Sequence, residues 1–221
     1  MERALIIGAS GGIGSAMQHS LQASGYDVTG LSRGGDELDI TDEASVSAAL
    51  GALEPGFALI VVATGALVID GAQPEKTLRH VTAKSMADQF ALNCIGPSLV
   101  LKHSLRLLPR RGRSVFAALS ARVGSIGDNA LGGWYAYRTA KAALNQMVHS
   151  GAIELGRTHP DAICVALHPG TVATSFTRDY AATHDMVSPD QAAQNLLAVI
   201  AQLEPAQSGL FFDWQGKQVP W

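Results

Sequence analysis

Tyr137 and Lys141 stand four positions apart in the segment Tyr137-Arg138-Thr139-Ala140-Lys141. On an α-helix, residues at this spacing lie on one face and within reach of each other. A lysine ammonium beside a phenol favours the phenolate, so Lys141 is expected to lower the pKa of Tyr137 from its ordinary value of about 10. Such a tyrosine can donate a proton to an oxygen that is gaining charge. The pair predicts a general acid/base, although the same spacing also occurs on ordinary amphipathic helices.

A second candidate site is a glycine-rich segment directly after the first strand-like run, residues 4–7. Glycines in a turn between a strand and a helix let the backbone approach a pyrophosphate, whose charge is favoured by the free amides and the positive end of the helix. A plain tight turn is the alternative. The segment predicts a dinucleotide-binding site formed by Gly8, Ser10, Gly11, Gly12, Ile13 and Gly14.

The elements that must position these residues follow an alternating pattern. Short apolar runs alternate with longer segments of helical period, which is typical of repeated βαβ units. Runs that are apolar throughout should be covered on both faces, as in a parallel sheet between two helix layers. The sequence therefore predicts an α/β fold with a doubly wound, Rossmann-type parallel sheet, in one domain over residues 1–221. The predicted strands include residues 4–7, 28–31, 59–62, 115–119 and 163–167.

Composition narrows the classes of partner. The net charge is -3 and the pI is about 6.1, so no basic footprint for nucleic acid or an anionic membrane is present. A small-molecule substrate is expected. Met1 leads into the first strand without a basic leader, and no apolar run approaches spanning length, which predicts a cytoplasmic protein outside the membrane. Cys94 and Cys164 offer neither a disulfide framework nor a metal-ligand spacing, and both are expected to be buried.

The Gly-x-x-x-Gly-x-Gly spacing and the Tyr-x-x-x-Lys motif resemble those of the short-chain dehydrogenase/reductase family. The longer string from Gly124-Ser125-Ile126 to Asn145 is similar to the branch of C-factor and sniffer-like carbonyl reductases. The resemblance implies an oxidoreductase that uses a nicotinamide dinucleotide, and a homodimer or homotetramer.

The resemblance also implies roles for individual residues. Tyr137 would be the general acid/base, and Lys141 would activate it and bind the nicotinamide ribose. Ser120 follows a predicted strand, at the edge where ligands bind in such sheets, and its hydroxyl would hold the substrate oxygen. Ser125 is the less favoured alternative to Ser120. Asn93 would complete a catalytic tetrad with Ser120, Tyr137 and Lys141.

Asn93 has a feature that the sequence itself explains. Pro97 lies four residues later in the same helical segment. Proline lacks an amide hydrogen, so it cannot bond the carbonyl of residue 93, and its ring should kink the helix there. The freed carbonyl could hold a water on a proton path from Lys141. The alternative is a helix that merely bends around the core.

Further contacts to the cofactor are implied by the resemblance. A turn after a strand would meet the nicotinamide carboxamide, Asp39 would contact the adenine, and Gly65 would let the cofactor pass. Where the family usually has Asn-Asn-Ala-Gly, this chain has Val62-Ala63-Thr64-Gly65, so two amide side chains are missing. The residues assigned to the turn are Pro169, Gly170, Val172 and Thr174.

The choice of nicotinamide depends on the end of the second predicted strand. An acidic residue there would accept from the adenosine ribose hydroxyls, and a basic one would accommodate a 2′-phosphate. The sequence is Leu31-Ser32-Arg33, with no acid at that point. Arg33 can pair with a phosphate, so NADP(H) is favoured over NAD(H).

The sequence therefore predicts hydride transfer between NADPH and a carbonyl or alcohol substrate. Two alternatives stay open: a dinucleotide-binding regulatory or signalling protein with little turnover, and a weaker one, an isomerase or epimerase. Residues 175–188 are expected to cover the substrate pocket, and they carry no readable code for the substrate.

Overall fold

A computed structural model describes residues 1–174 and 186–221. Within these residues six parallel strands form one sheet, in the order β2-β1-β3-β4-β5-β6. The predicted doubly wound fold is confirmed. The strands are β1 (Arg3–Ile7), β2 (Asp27–Leu31), β3 (Phe57–Val62), β4 (Ser114–Leu119), β5 (Ala162–His168) and β6 (Phe211–Asp213).

Helices cover both faces of the sheet and connect its strands. They are α1 (Gly12–Ala23), α2 (Arg33–Asp36), α3 (Glu43–Gly51), α4 (Ala83–Phe90), α5 (Gly96–Ser104), α6 (Tyr135–Thr158) and α7 (Pro189–Gln202). Short 3-10 turns occur at Leu78–His80, Arg122–Gly124 and Pro205–Gln207.

Two hydrophobic clusters, one on each face, hold the layers together. Helices α3, α5 and α6 pack on one face of the sheet, and α1 and α7 pack on the other. Successive strand residues point to opposite faces, so Leu5 and Ile7 enter the first cluster while Ala4 and Ile6 enter the second. This is why the strands are apolar throughout and not alternating.

The glycine turn after β1 is shaped by close backbone contact. A Cβ on Gly14 would lie 2.2 Å from the carbonyl oxygen of Gly8, and Gly8 itself has a φ of +90°. No larger residue fits at position 14, so α1 can start directly against the turn. The turn therefore presents the amino-terminal end of α1 at the carboxyl edge of the sheet.

The predicted disturbance of the helix near Pro97 is present. Between α4 and α5 the helix widens into a π turn over Ala91–Ile95, and Pro97 lies in the first turn of α5. Such π turns arise where the ordinary i to i−4 ladder is interrupted. Asn93 lies within the widened turn and is fully buried.

The structure also shows how far the two cysteines and Leu144 are buried. Cys94 and Cys164 are both buried, as predicted. Leu144, in the middle of α6, is 1% exposed and belongs to the core. No helix in the described ranges combines the length and apolar character needed to cross a membrane.

The Gly8–Gly14 contact predicts a steric cost. Gly14→Ala is expected to destabilise the protein by about 1–3 kcal/mol, the cost of overpacking a rigid site, as measured by chemical denaturation. Gly51→Ala is the matched control, because nothing lies within 4 Å of a Cβ there and alanine is the better helix former. Equal midpoints for the two variants would contradict the prediction.

Candidate active site

A cleft of about 440 Å³ opens at the carboxyl ends of β1, β3, β4 and β5. Most of the predicted site residues line it, although they come from distant parts of the sequence. Leu67, Val123 and Trp134 add apolar surface. The predicted residues that line the cleft are Gly11, Gly12, Ile13, Gly65, Ser120, Tyr137, Lys141, Pro169, Gly170, Val172 and Thr174.

Helix α6 carries the chemical side chains on one stripe. Tyr137 and Lys141 lie one turn apart, and both are buried, at 6% and 2% exposure. The Lys141 Nζ lies 5.9 Å from the centroid of the Tyr137 ring and donates to the carbonyl oxygen of Leu119 at 2.9 Å. The lysine thus connects the helix to the end of β4.

Burial acts on the pKa of both groups. It raises the pKa of the Tyr137 phenol and lowers the pKa of Lys141 to about 8, because leaving water penalises the charged form of each. The expectation that Lys141 lowers the tyrosine pKa is therefore wrong for this structure, in which burial dominates. Lys141 still remains mostly protonated at neutral pH.

The structure separates the two candidate serines. Ser120 lines the cleft, and its hydroxyl donates to Asn145 Oδ1 at 2.6 Å. Ser125 is absent from the described lining, and its hydroxyl donates to the carbonyl of Pro220 at 2.5 Å. This geometry favours Ser120 as the serine that meets a ligand.

Asn93 lies behind the cleft and supports its wall. Its side chain donates to the carbonyl of Ala66 at 2.8 Å and to Gln89 Oε1 at 2.6 Å. A Cβ on Gly65 would lie 2.7 Å from Asn93 Oδ1 and 3.5 Å from Lys141 Nζ. Glycine at position 65 therefore lets both polar side chains approach the loop after β3.

The start of α6 depends on a residue that the sequence analysis missed. Glu75 is 5% exposed. Its carboxylate accepts hydrogen bonds from the amide of Ala136 at 3.2 Å and from the Ser85 hydroxyl at 3.1 Å. Its backbone carbonyl accepts a hydrogen bond from the Trp134 amide at 2.6 Å. Trp134 precedes the helix with a φ of 51°, and its side chain has no acceptor with which to cap it. A carboxylate at a helix amino terminus is favourable. Glu75 lies 61 residues before Ala136 in the sequence, so no local motif predicts this contact.

Several predicted residues do not line the described cleft. Gly8 and Gly14 form the turn behind it. Ser10 and Arg33 are exposed. Asp39 accepts from the amide and hydroxyl of Thr41, which lowers its pKa. Their contacts to a cofactor stay predictions.

An acid does lie at the end of β2, contrary to the sequence analysis. The Asp36 carboxylate folds back and accepts from the amide of Ser32 at 2.8 Å and from its hydroxyl at 3.2 Å. The short helix α2 turns the chain so that the Asp36 carboxylate reaches the end of β2, although four residues separate Asp36 from the last residue of that strand. Arg33 stays exposed beside it.

The cleft offers polar atoms that suit a ligand with hydrogen-bonding groups. Thr64 Oγ1 and His168 Nδ1 are buried, and neither has a hydrogen-bond partner among the described residues. Both residues line the cleft. Unsatisfied buried polar atoms are uncommon and need a reason. Together with the glycine turn they fit a dinucleotide, and Thr64 directly follows the two positions at which the family's amide side chains are missing.

Two further expectations concern ligands. The segment expected to cover the pocket falls largely on residues 175–185, which lie outside the described residues. In the remainder of the chain, no group of three or more His, Cys, Asp or Glu side chains is placed to hold a metal ion.

Comparison with known proteins finds a matching family model and several related proteins. A family model described as enoyl-(acyl carrier protein) reductase matches residues 36–212. The chain is 32% identical to 1-hydroxy-2-glutathionyl-2-methyl-3-butene dehydrogenase of Rhodococcus sp. (strain AD45), over 100% of both chains. It is 39% identical to C-signal of Myxococcus xanthus, over 65% of this chain and 83% of that protein.

Solved structures show the same fold. One, described as a short-chain dehydrogenase/reductase from Burkholderia multivorans with bound NADP, has a TM-score of 0.84 at 27% identity and covers 100% of this chain and 99% of that chain. The carbonyl reductase Sniffer of D. melanogaster has a TM-score of 0.82 at 22% identity and covers 100% of both chains.

The buried lysine predicts a pH-dependent stability. Unfolded, Lys141 keeps its ordinary pKa of 10.5, and folded it titrates near 8, so the unfolded state binds more protons between these values. The contribution of Lys141 to the free energy of unfolding should therefore rise by roughly 1 kcal/mol per pH unit between these two pKa values. Lys141→Met should therefore be more stable than wild type at pH 7, and this advantage should shrink from pH 8 to 10.5.

Denaturant titrations at several pH values measure this difference. Lys102→Met is the control, since Lys102 is 62% exposed. A stability difference between Lys141→Met and wild type that stays constant across the window would contradict the prediction.

Proposed function

The chain belongs to the short-chain dehydrogenase/reductase family of oxidoreductases, and we propose that it interconverts a small carbonyl compound and its alcohol with NADP(H). The observation that carries the proposal is the convergence of Ser120, Tyr137 and Lys141 on one cleft beside the glycine turn. The relative from Rhodococcus, which is a dehydrogenase by name, supports it.

The chemistry is divided between cofactor and protein. A bound nicotinamide would supply the hydride for reduction of the carbonyl carbon and accept it on oxidation of the alcohol. Ser120 and Tyr137 hold the substrate oxygen, and Tyr137 gives the proton during reduction and takes it during oxidation. The high phenol pKa that burial produces suits the protonated form of Tyr137, which reduction requires.

Lys141 stabilises the charge that forms on Tyr137. Its Nζ is 5.9 Å from the ring centroid, and in a buried site a charge at such a distance acts strongly. The hydrogen bond to Leu119 fixes the ammonium in place. The backbone carbonyl of Asn93, in the widened turn before Pro97, is proposed to hold a water on the proton path from Lys141.

The cofactor would lie along the carboxyl edge of the sheet. The amides of the glycine turn would hold the pyrophosphate, and Gly170, Val172 and Thr174 would meet the carboxamide. Arg33 would pair with the 2′-phosphate. The relative structure from Burkholderia multivorans, which contains NADP, supports the choice of cofactor.

The substrate side of the cleft suits a small compound with an apolar body. Leu67, Val123 and Trp134 line it next to the polar groups. A cytoplasmic location and assembly as a homodimer or homotetramer remain predictions of the sequence.

A second candidate function is a dinucleotide-binding regulator with little turnover. The 39% identity to C-signal of Myxococcus xanthus favours keeping it. Such a protein would bind NADPH without needing Ser120, Tyr137 and Lys141 in one place, so the oxidoreductase is the better supported proposal.

The direct test is NADPH oxidation by the purified protein with a panel of aldehydes, ketones, diketones and quinones. Tyr137→Phe keeps the ring and removes the proton donor, so turnover should fall by about 10²–10⁴-fold, the usual contribution of a general acid. NADPH binding, followed by nicotinamide fluorescence, should be unchanged. Turnover by the variant at the wild-type rate would refute the mechanism, and binding without oxidation across the panel would favour the regulator.

Cofactor choice gives a separate prediction. Arg33→Ala should weaken NADPH binding by about tenfold or more, since it removes a charge-assisted bond to phosphate, and should leave NADH binding nearly unchanged. Arg157→Ala is the control, because Arg157 is exposed in the last turn of α6, at the end away from the cleft. Equal losses for NADPH and NADH would exclude the phosphate contact.

A further inference from the structure

Asn145 touches the proposed substrate-binding serine, and neither the mechanism above nor the tetrad uses it. It lies on α6 one turn after Lys141, on the same stripe as Tyr137, and is 1% exposed. Its Oδ1 accepts from the Ser120 hydroxyl at 2.6 Å. Its Nδ2 donates to the carbonyl of Gly124 at 3.4 Å.

The orientation of this amide is determined by its partners. The carbonyl of Gly124 can only accept, so the NH₂ group of Asn145 must face it. The amide oxygen is then left for Ser120, and the single hydroxyl proton of Ser120 points toward Asn145. What Ser120 offers the cleft in this state is an oxygen with free lone pairs.

We infer that Asn145 is a positioning residue that fixes the place of the Ser120 hydroxyl and the direction of its proton. The inference rests on the proposed carbonyl–alcohol chemistry. With an alcohol in the cleft, the Ser120 oxygen accepts a hydrogen bond from the alcohol hydroxyl and keeps its own bond to Asn145; the alcohol proton then turns to Tyr137, which takes it. With a carbonyl compound, Ser120 turns its proton toward the substrate oxygen and exchanges one bond for the other.

The alternative is a purely structural role, in which Asn145 only donates a hydrogen bond to the backbone carbonyl of Gly124. The two roles differ in what they predict for Ser120. If Asn145 acts through Ser120, replacing Asn145 has no further effect on kcat once the Ser120 hydroxyl is removed. If Asn145 is only structural, replacing it lowers kcat by the same factor with or without that hydroxyl. A double-mutant cycle therefore separates them.

The experiment compares wild type, Asn145→Ala, Ser120→Ala and the double variant in NADPH-dependent carbonyl reduction. Asn145→Ala no longer holds the Ser120 hydroxyl in its place beside the substrate, so kcat should fall about tenfold, which corresponds to about 1.4 kcal/mol, with the NADPH Kd unchanged. The double variant should be no slower than Ser120→Ala. Independent, multiplicative losses in kcat would overturn the inference.

A conservative variant adds a rescue. Asn145→Asp keeps an oxygen that accepts from Ser120, and it should retain kcat within about threefold of wild type, well above Asn145→Ala. A loss as large as that of the alanine variant would assign Asn145 a structural role instead. If Asn145→Ala does not give folded protein, Asn145→Leu, of similar size and without an acceptor, takes its place in the cycle.

A readout without cofactor completes the test. Denaturant midpoints of the same four proteins should be non-additive, because Ser120 and Asn145 share one bond, and additive midpoints would overturn the inference. If the wild-type protein binds NADPH but no compound of the panel makes it oxidise NADPH, the proposed oxidoreductase is overturned. The double-mutant cycle of unfolding then decides separately whether Asn145 holds the Ser120 hydroxyl.

Discussion

The hydrogen bonds between helix α6 and the end of strand β4 hold the site together. Lys141 bonds the carbonyl of Leu119, and Asn145 bonds the hydroxyl of the next residue, Ser120. These two bonds set the helix and the strand in one register, with Tyr137 one turn away at the cleft. Because every one of these side chains is buried, leaving any of them unpaired would be costly, so the arrangement has few alternatives.

The same burial determines the electrostatics of the site. Removal from water keeps Tyr137 protonated and lowers the pKa of Lys141 to about 8. In the proposed reaction, a protonated phenol beside a mostly charged lysine whose pKa lies near neutral pH is suited to moving one proton in either direction. In that proposal, burial keeps Tyr137 protonated, and the charge of Lys141 stabilises the phenolate that forms during the reaction.

The loop after β3 and the helix after it are the second support of the site. Asn93 and Gln89 hold the backbone near Ala66, and Glu75 caps the helix that carries Tyr137. This chain lacks two asparagines that its family usually has after β3. Thr64 follows these two positions, with its hydroxyl buried and unbonded by any described residue, which leaves a polar contact for a bound cofactor.

The sequence by itself determined the fold class, the glycine turn and the Tyr137–Lys141 pair, because each is written in local periodicity or in a spacing of a few residues. It also indicated the disturbed helix near Pro97, since a missing amide is a property of one residue. Only the tertiary structure decided the pKa directions, which of Ser120 and Ser125 lines the cleft, and the contacts of Glu75, Asp36 and Asn145. These depend on burial and on contacts between elements far apart in the chain, and no local pattern of residues records either.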